Sequence, residues 1–370
     1  MAEIHNRFIE LATPGIANLK PYVPGKPVSE LERELGITNS IKLASNENPL
    51  GCSDKAKAAI QAELTDAARY PDGGGFALRN KLAEKHNIDP ACITLGNGSN
   101  DVLDMIARVF LAPGTESLFS QYAFAVYPIS SQAVGATLKM VPARDYGHDL
   151  EAMINGVGET TRVVWVANPN NPTGTWVDSE ELENFIAALP RDVIVVVDEA
   201  YIEYVDESGY PDTSLWLKKY PNLIVTRTFS KVYGLASLRV GYALSHSDIA
   251  DLLNRVRQPF NVNSMAMTAA IAALDDQDFV RQSIEMNRNG MAQLSAALDE
   301  MKVDYIPSVG NFITVDVGRP VEEVDLALLK QGCIGRPLAN YGMPQHLRIT
   351  IGTATENSRF IEALKEVMGK

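Results

Sequence analysis

The stretch "RVVWVANPNNPTGTWVDSEELENFIAALPRDVIVVVDEA" (162–200) holds two β-branched runs, "RVVWVAN" (162–168) and "DVIVVVDEA" (192–200), with "SEELENFIAAL" in helical rhythm between them. Nearly continuous apolar strands joined by a helix belong to a parallel sheet buried on both faces. The pattern repeats outward in both directions. "CITLG" (92–96), "SLFS" and "TLKMV" precede it, and "NLIVTRT" (222–228) and "RVGYAL" (239–244) follow; "NDVLDMIARVF" reads as a helix with Val102, Leu103, Ile106, Val109 and Phe110 on its apolar face. The expected fold class is α/β, a mostly parallel sheet covered by helices on both faces, over residues 50–260. Beyond 261 the rhythm changes. Helices "MNRNGMAQLSAALDEM", "EVDLALLKQG" and "ENSRFIEALKEVM" alternate with strands "NFITVDVG" and "LRITIGT", which predicts a smaller α+β domain of residues 31–49 and 261–370. Residues 1–30 are expected to form an N-terminal arm, with the Pro- and Gly-rich "LKPYVPGKPVSEL" (19–31) extended.

Bulk properties narrow the function. The chain has 370 residues, enough for about two domains, and a formal net charge of −13, which argues against a nucleic-acid surface. Cys52, Cys92 and Cys333 are scattered without a C-x-x-C, and the five histidines form no i, i+3 or i, i+4 pair, so neither a disulfide framework nor a metal site is signalled. The N-terminal "MAEIHNRFIELATPG" lacks the apolar core of a signal peptide, and the longest aliphatic run, Val193 to Val197, is far too short for a membrane span. A cytoplasmic protein with small-molecule partners, without membrane or nucleic acid, is expected.

Ligands of open α/β sheets sit at the carboxyl ends of the strands, and here those ends carry chemistry. "GNGSND" leads into a helix, so Gly98, Ser99 and Asn100 offer amides at a helix N-terminus, suited to phosphate or to ordinary capping. "NPNNPTG" (168–174) supplies Asn171 as an amide donor beyond what turn chemistry needs. Asp198 ends an aliphatic run, where a carboxylate is costly unless it meets a cation or a charged ligand nitrogen, and Tyr201 follows three residues later. "TRTFSKVYGLASLRVGY" (226–242) places Lys231 with no carboxylate within ten residues and with Arg227 and Arg239 at spacings of four and eight. Nearby cations and burial depress an amine's pKa and make it a nucleophile. A phosphate cradle, an acid, an amide donor and such a lysine on one sheet edge suit pyridoxal 5′-phosphate.

The motifs "SNENPLG", "RYPDGGG", "NPNNPTG", "VVDEAYIEY", "TFSKVYGLASLRVGY" and "LRITIGT" together resemble fold-type I, aspartate-aminotransferase-like pyridoxal-phosphate enzymes over almost the whole chain. Within that family "LKPYVPGKP" and "RPLANYGMPQHLRITIGTATEN" are similar to histidinol-phosphate aminotransferases, with Ser237 departing from a frequent glycine. The resemblance implies that Lys231 holds the cofactor as a Schiff base and moves the substrate's proton, and that Asp198 keeps the pyridine nitrogen protonated. It implies that Asn171 and Tyr201 hydrogen-bond the ring oxygen and that Phe124 of "YAFAVY" stacks on the ring. Gly98, Ser99, Asn100, Thr228 and Arg239 are implied as phosphate ligands, and Arg348, Tyr22 and Asn171 as substrate ligands. The implied reaction exchanges an amino group between histidinol phosphate and 2-oxoglutarate by a ping-pong route in histidine biosynthesis. An aromatic amino-acid aminotransferase and a pyridoxal-phosphate-dependent decarboxylase are the alternatives. The resemblance also implies a homodimer in which Tyr70 reaches the cofactor phosphate of the neighbouring subunit.

Overall fold

The computed structural model describes residues 7–22 and 24–370; the first six residues of the expected arm and Val23 within it lie outside the described residues. The sheet foreseen from 162–200 has seven strands: β1 (Ile93–Gly96), β2 (Glu116–Ser120), β3 (Thr137–Val141), β4 (Thr161–Ala167), β5 (Ile194–Asp198), β6 (Leu223–Thr228) and β7 (Gly241–Ser245). Their order is β1-β7-β6-β5-β4-β2-β3. Every neighbouring pair is parallel except those made by β7, which runs antiparallel to both β1 and β6. The strands from 163 to 197 are apolar throughout because both faces are covered: Val164, Val166, Val195 and Val197 join one core, and Val163, Trp165 and Val196 join the other.

A second sheet is antiparallel, with β8 (Tyr305–Ile306), β9 (Phe312–Asp316), β10 (Arg336–Pro337) and β11 (His346–Thr350) in the order β10-β11-β9-β8. Helices Gln277–Met301, Val321–Lys330 and Ala354–Met368 enclose its core around Leu294, Leu298, Leu347 and Phe360. Thr353 and Glu356 close a capping box that starts the last helix. The segment after residue 40 joins this part of the molecule, because Ile41–Lys42 pairs in parallel with Cys333–Ile334 and Leu43 accepts a hydrogen bond from the Thr350 amide.

Two expectations need correction. The stretch 19–31 is not extended to its end: a helix begins at Val28, directly after Pro27, and runs to Leu35, burying Leu31. Proline at a helix threshold lacks only an amide that the first turn would leave unpaired, so it starts the helix rather than preventing it. The helix Ser264–Leu274 lies beyond the expected boundary at 261, yet it packs on helix Asp54–Glu63 and contributes Ala266, Ala269 and Ala270 to the large-sheet core. Its small residues permit that close approach of two helices.

Candidate active site

The carboxyl ends of β4, β5 and β6 open onto one cavity, closed on its far side by β10, β11 and the segment 44–47. Strand alternation decides which side chains face it. On β6, Thr226 and Thr228 point to the site, so Arg227 between them points away. Thr226 donates to Asp198 Oδ1 at 2.8 Å, across a register that pairs the two residues directly. Arg227 instead is buried on the opposite face, 2.8 Å from Glu199 and 2.6 Å from Asp212. The expectation that Arg227 depresses Lys231 is therefore overturned, since its charge is spent on two carboxylates.

Lys231 follows β6 and is half-buried, with its Nζ donating to the Ser45 carbonyl at 3.1 Å and lying 5.5 Å from the centre of the Tyr201 ring. Burial pulls its pKa down to about 7, helped by Arg348 and Arg239 and opposed by Glu47 and Asp198. The cation argument from sequence thus holds for Arg239, while the stronger cation, Arg348, comes from 117 positions away in the chain.

Asp198 is 5% exposed, and burial raises its pKa against hydroxyls donated by Tyr127 and Thr226 and the charge of Lys231. The hydroxyl of Tyr201 accepts from Asn46 Nδ2 at 2.9 Å, and burial lifts the phenol to about 12, so it stays protonated. Asn171 lines the cavity, its Oδ1 bonded by Arg348 Nη1.

At the other end of the cavity the helix Ser99–Phe110 begins with no side-chain cap, leaving its first amides free for an anion. Ser99, Asn100, Thr228 and Arg239 line this end. Gly98 has φ +82, and a Cβ there would lie 2.3 Å from Arg239 Nη2, so only glycine lets the guanidinium sit against the helix start. Arg239 itself has φ 58, a left-handed conformation that non-glycine residues adopt at a cost, and it donates to Ser230 Oγ at 3.3 Å and the Ala236 carbonyl at 3.0 Å.

Phe124 and Tyr22 also line the cavity. Tyr70 does not: it is 83% exposed and stacks on Phe260 with ring centres 4.7 Å apart. Sequence reasoning passed over Asn46, Arg336 and Tyr127, all of which line the site. Tyr127 lies in the first turn of the helix Val126–Ala133, and no local pattern in the sequence marks it as part of the site. Nothing local marks Arg336, which reaches the site only because β10 pairs with β11.

The sequence model of the family described as "Aminotransferase class I and II" matches residues 38–364. The chain belongs to this family. It is similar to histidinol-phosphate aminotransferase 2 of Pseudomonas fluorescens, 57% identical over 365 residues that cover 98% of this chain and 99% of that one. The protein of the same name from Pseudomonas aeruginosa is 59% identical over 363 residues, 98% of both chains. Among solved structures it resembles histidinol-phosphate aminotransferase from Sinorhizobium meliloti in complex with pyridoxal-5′-phosphate, with a TM-score of 0.88, 30% identity, and coverage of 96% and 97% of the two chains. The fold of this aminotransferase is therefore fold-type I, and its donor set fits pyridoxal 5′-phosphate. The uncapped helix start with Arg239 suits a phosphate dianion, buried Asp198 suits a protonated ring nitrogen, and Lys231 is an amine with a depressed pKa between them.

Proposed function

We propose that this chain is a histidinol-phosphate aminotransferase, moving an amino group between histidinol phosphate and 2-oxoglutarate to give imidazole acetol phosphate and glutamate. One observation carries the choice of substrate. Arg336 and Arg348 are directly paired across β10 and β11, are 7% and 6% exposed, and both line the cavity. Arg348 bonds Asn171 and the Ala44 carbonyl and Arg336 lies over the Tyr22 ring; among the described residues neither meets a carboxylate in a salt bridge. Two unneutralised like charges side by side are unfavourable until an anion arrives. A phosphate monoester can take forked bonds from both, and so can the carboxylates of glutamate. An aromatic amino acid brings a single carboxylate to the same pair and has less to offer it.

Pyridoxal 5′-phosphate, when bound, supplies the aldehyde and the electron-withdrawing ring that this exchange requires. The chain's own residues supply the rest. Lys231, near pKa 7, divides between amine and ammonium at neutral pH and so can take the proton from substrate Cα and return one. Asp198 holds the proton on the ring nitrogen, Asn171 and Tyr201 address the ring oxygen, and Phe124 supports the ring face. Ser99, Asn100, Thr228 and Arg239 hold the cofactor phosphate, with Gly98 leaving room for Arg239.

The reading extends to a cytoplasmic homodimer. Tyr70, Phe76 and Leu64 are more than half exposed and Phe260 is 44% exposed, an apolar group of side chains suited to a two-fold contact that brings Tyr70 to the partner's site. The three cysteines are unpaired, as suits a reducing compartment. The test supplies glutamate as amino donor and compares imidazole acetol phosphate with phenylpyruvate as acceptor. The phosphate substrate is expected to react with a kcat/KM roughly 10²-fold higher or more, because charge-assisted contacts are worth ~1.5–3 kcal/mol each. Equal rates, or a preference for phenylpyruvate, would contradict the assignment.

A further inference from the structure

Asp198 is held from both sides. Thr226 on β6 donates to Oδ1 at 2.8 Å, and Tyr127, from the helix Val126–Ala133, donates its hydroxyl to Oδ2 at 2.8 Å. With each oxygen engaged by a different element, the carboxylate plane cannot turn without breaking a bond. Tyr127 is itself fixed. Its ring stacks on Trp165 with centres 5.1 Å apart at 9°, and meets Phe124 edge-on at 5.8 Å and 82°. Trp165 is tied in turn, donating to Ser117 Oγ at 2.8 Å, and Ser117 bonds Ser131 at 2.7 Å. Tyr127, Trp165, Ser117 and Ser131 are all at most 1% exposed. A satisfied buried network orients what it touches.

We infer that Tyr127 is a positioning residue that acts on the cofactor ring through Asp198. The inference rests on the reading of this cavity as a pyridoxal phosphate site. Burial drives Asp198 toward its neutral acid, and a neutral acid cannot hold a proton on the ring nitrogen. The titratable groups that bear on the Asp198 carboxylate are Tyr127, Tyr201, Tyr210 and Lys231. Burial keeps all three phenols protonated, so Tyr127 remains a donor throughout the working pH range. Its hydroxyl stabilises the carboxylate form, and its edge contact sets the Phe124 ring and the acid in register. Thr226 shares the first task but touches no ring platform.

The test uses Tyr127→Phe, which keeps the ring and its stacking and deletes one hydroxyl. Cofactor-free protein is titrated with pyridoxal 5′-phosphate by fluorescence, and the reconstituted protein is titrated with base while its visible absorbance is followed. The variant is expected to bind the cofactor roughly ten-fold or more weakly, about the loss of one hydrogen bond to a charged group. Its absorbance transition is expected at higher pH, because losing positive charge from the ring makes a second positive charge nearby easier to keep. Replacing Tyr127 by 3-fluorotyrosine, a stronger donor of the same shape, is expected to shift the transition the other way. In an Asp198→Asn background, Tyr127→Phe should add nothing to either measurement. Unchanged affinity and absorbance in Tyr127→Phe, or effects that simply add to those of Asp198→Asn, would overturn the inference. An Asp198→Asn protein with an unaltered cofactor spectrum would sink both this inference and the site reading, whereas failure of Tyr127→Phe alone leaves that reading standing.

Discussion

Lys231 shows how one side chain's setting sets its chemistry. In the folded chain it titrates at about 7 instead of 10.5. Between those values the unfolded chain carries the extra proton, so this lysine makes stability rise with pH from about 7 toward 10.5; below about 7 its buried charge is a full, constant cost. Lys231→Met should therefore flatten the rise in Tm between pH 7 and 9.5 in cofactor-free protein and should prevent covalent attachment of the cofactor, read by mass after borohydride reduction. A variant with the wild-type slope would show that the amine is not depressed. The role proposed for Arg348 concerns the substrate's anionic group instead. Arg348→Ala should weaken histidinol phosphate and glutamate together, by roughly 2–5 kcal/mol in kcat/KM, since losing one member of a buried charge-assisted contact costs about that much. If both donors keep their kinetics and only Tm falls, the arginine is structural.

At the scale of elements, two-residue alternation along β5 and β6 sorts chemistry from support. Asp198 lines the cavity with Thr226 bonded to it, and their chain neighbours Glu199 and Arg227 pair beneath the sheet, where Thr213 donates to Glu199 at 2.6 Å. Arg227→Ala leaves Glu199 buried and unpaired. It should cost about 3–5 kcal/mol in urea unfolding, and a loss under about 1 kcal/mol would show the pair to be dispensable. This face assignment marks the limit of what the sequence reveals. The apolar runs of β4 and β5 and the polar residues at their ends are legible because burial on both faces demands the first and ligand chemistry the second. The spacing of Arg227 from Lys231 suggested that its charge acts on the lysine, but alternation turns Arg227 away from Thr226 and onto Glu199 and Asp212, while Lys231 sits beyond the end of β6 and lines the cavity. Arg336 and Asn46 were hidden for another reason: they reach the site through pairing of β10 with β11 and through the loop beside β11, contacts between distant segments with no local signature. The helix Ser264–Leu274 is rich in alanine and apolar on most of its faces, so its periodicity gave no hint of which core it joins.

At the scale of the whole molecule, the large sheet presents the carboxyl ends of its strands to the cavity and the second sheet closes it with two arginines. Tyr70 is exposed and stacks on Phe260 away from its own chain's cavity, and the proposed homodimer would bring it to the partner's site. Lys231→Ala and Tyr70→Phe chains mixed under subunit exchange should regain activity, because one site of each mixed dimer has neither lesion; random pairing predicts roughly a quarter of wild-type activity. A mixture no more active than its Tyr70→Phe component would rule the shared site out. The central claim is the reaction itself, and nitrogen transfer reads it directly. Protein loaded with pyridoxal 5′-phosphate is incubated with 15N-glutamate and imidazole acetol phosphate, and the products are weighed by mass spectrometry. The account predicts 15N-labelled histidinol phosphate and 2-oxoglutarate in equal amounts, with no carbon dioxide released. Unlabelled histidinol phosphate, labelled ammonia in its place, or carbon dioxide in step with glutamate consumption would contradict it.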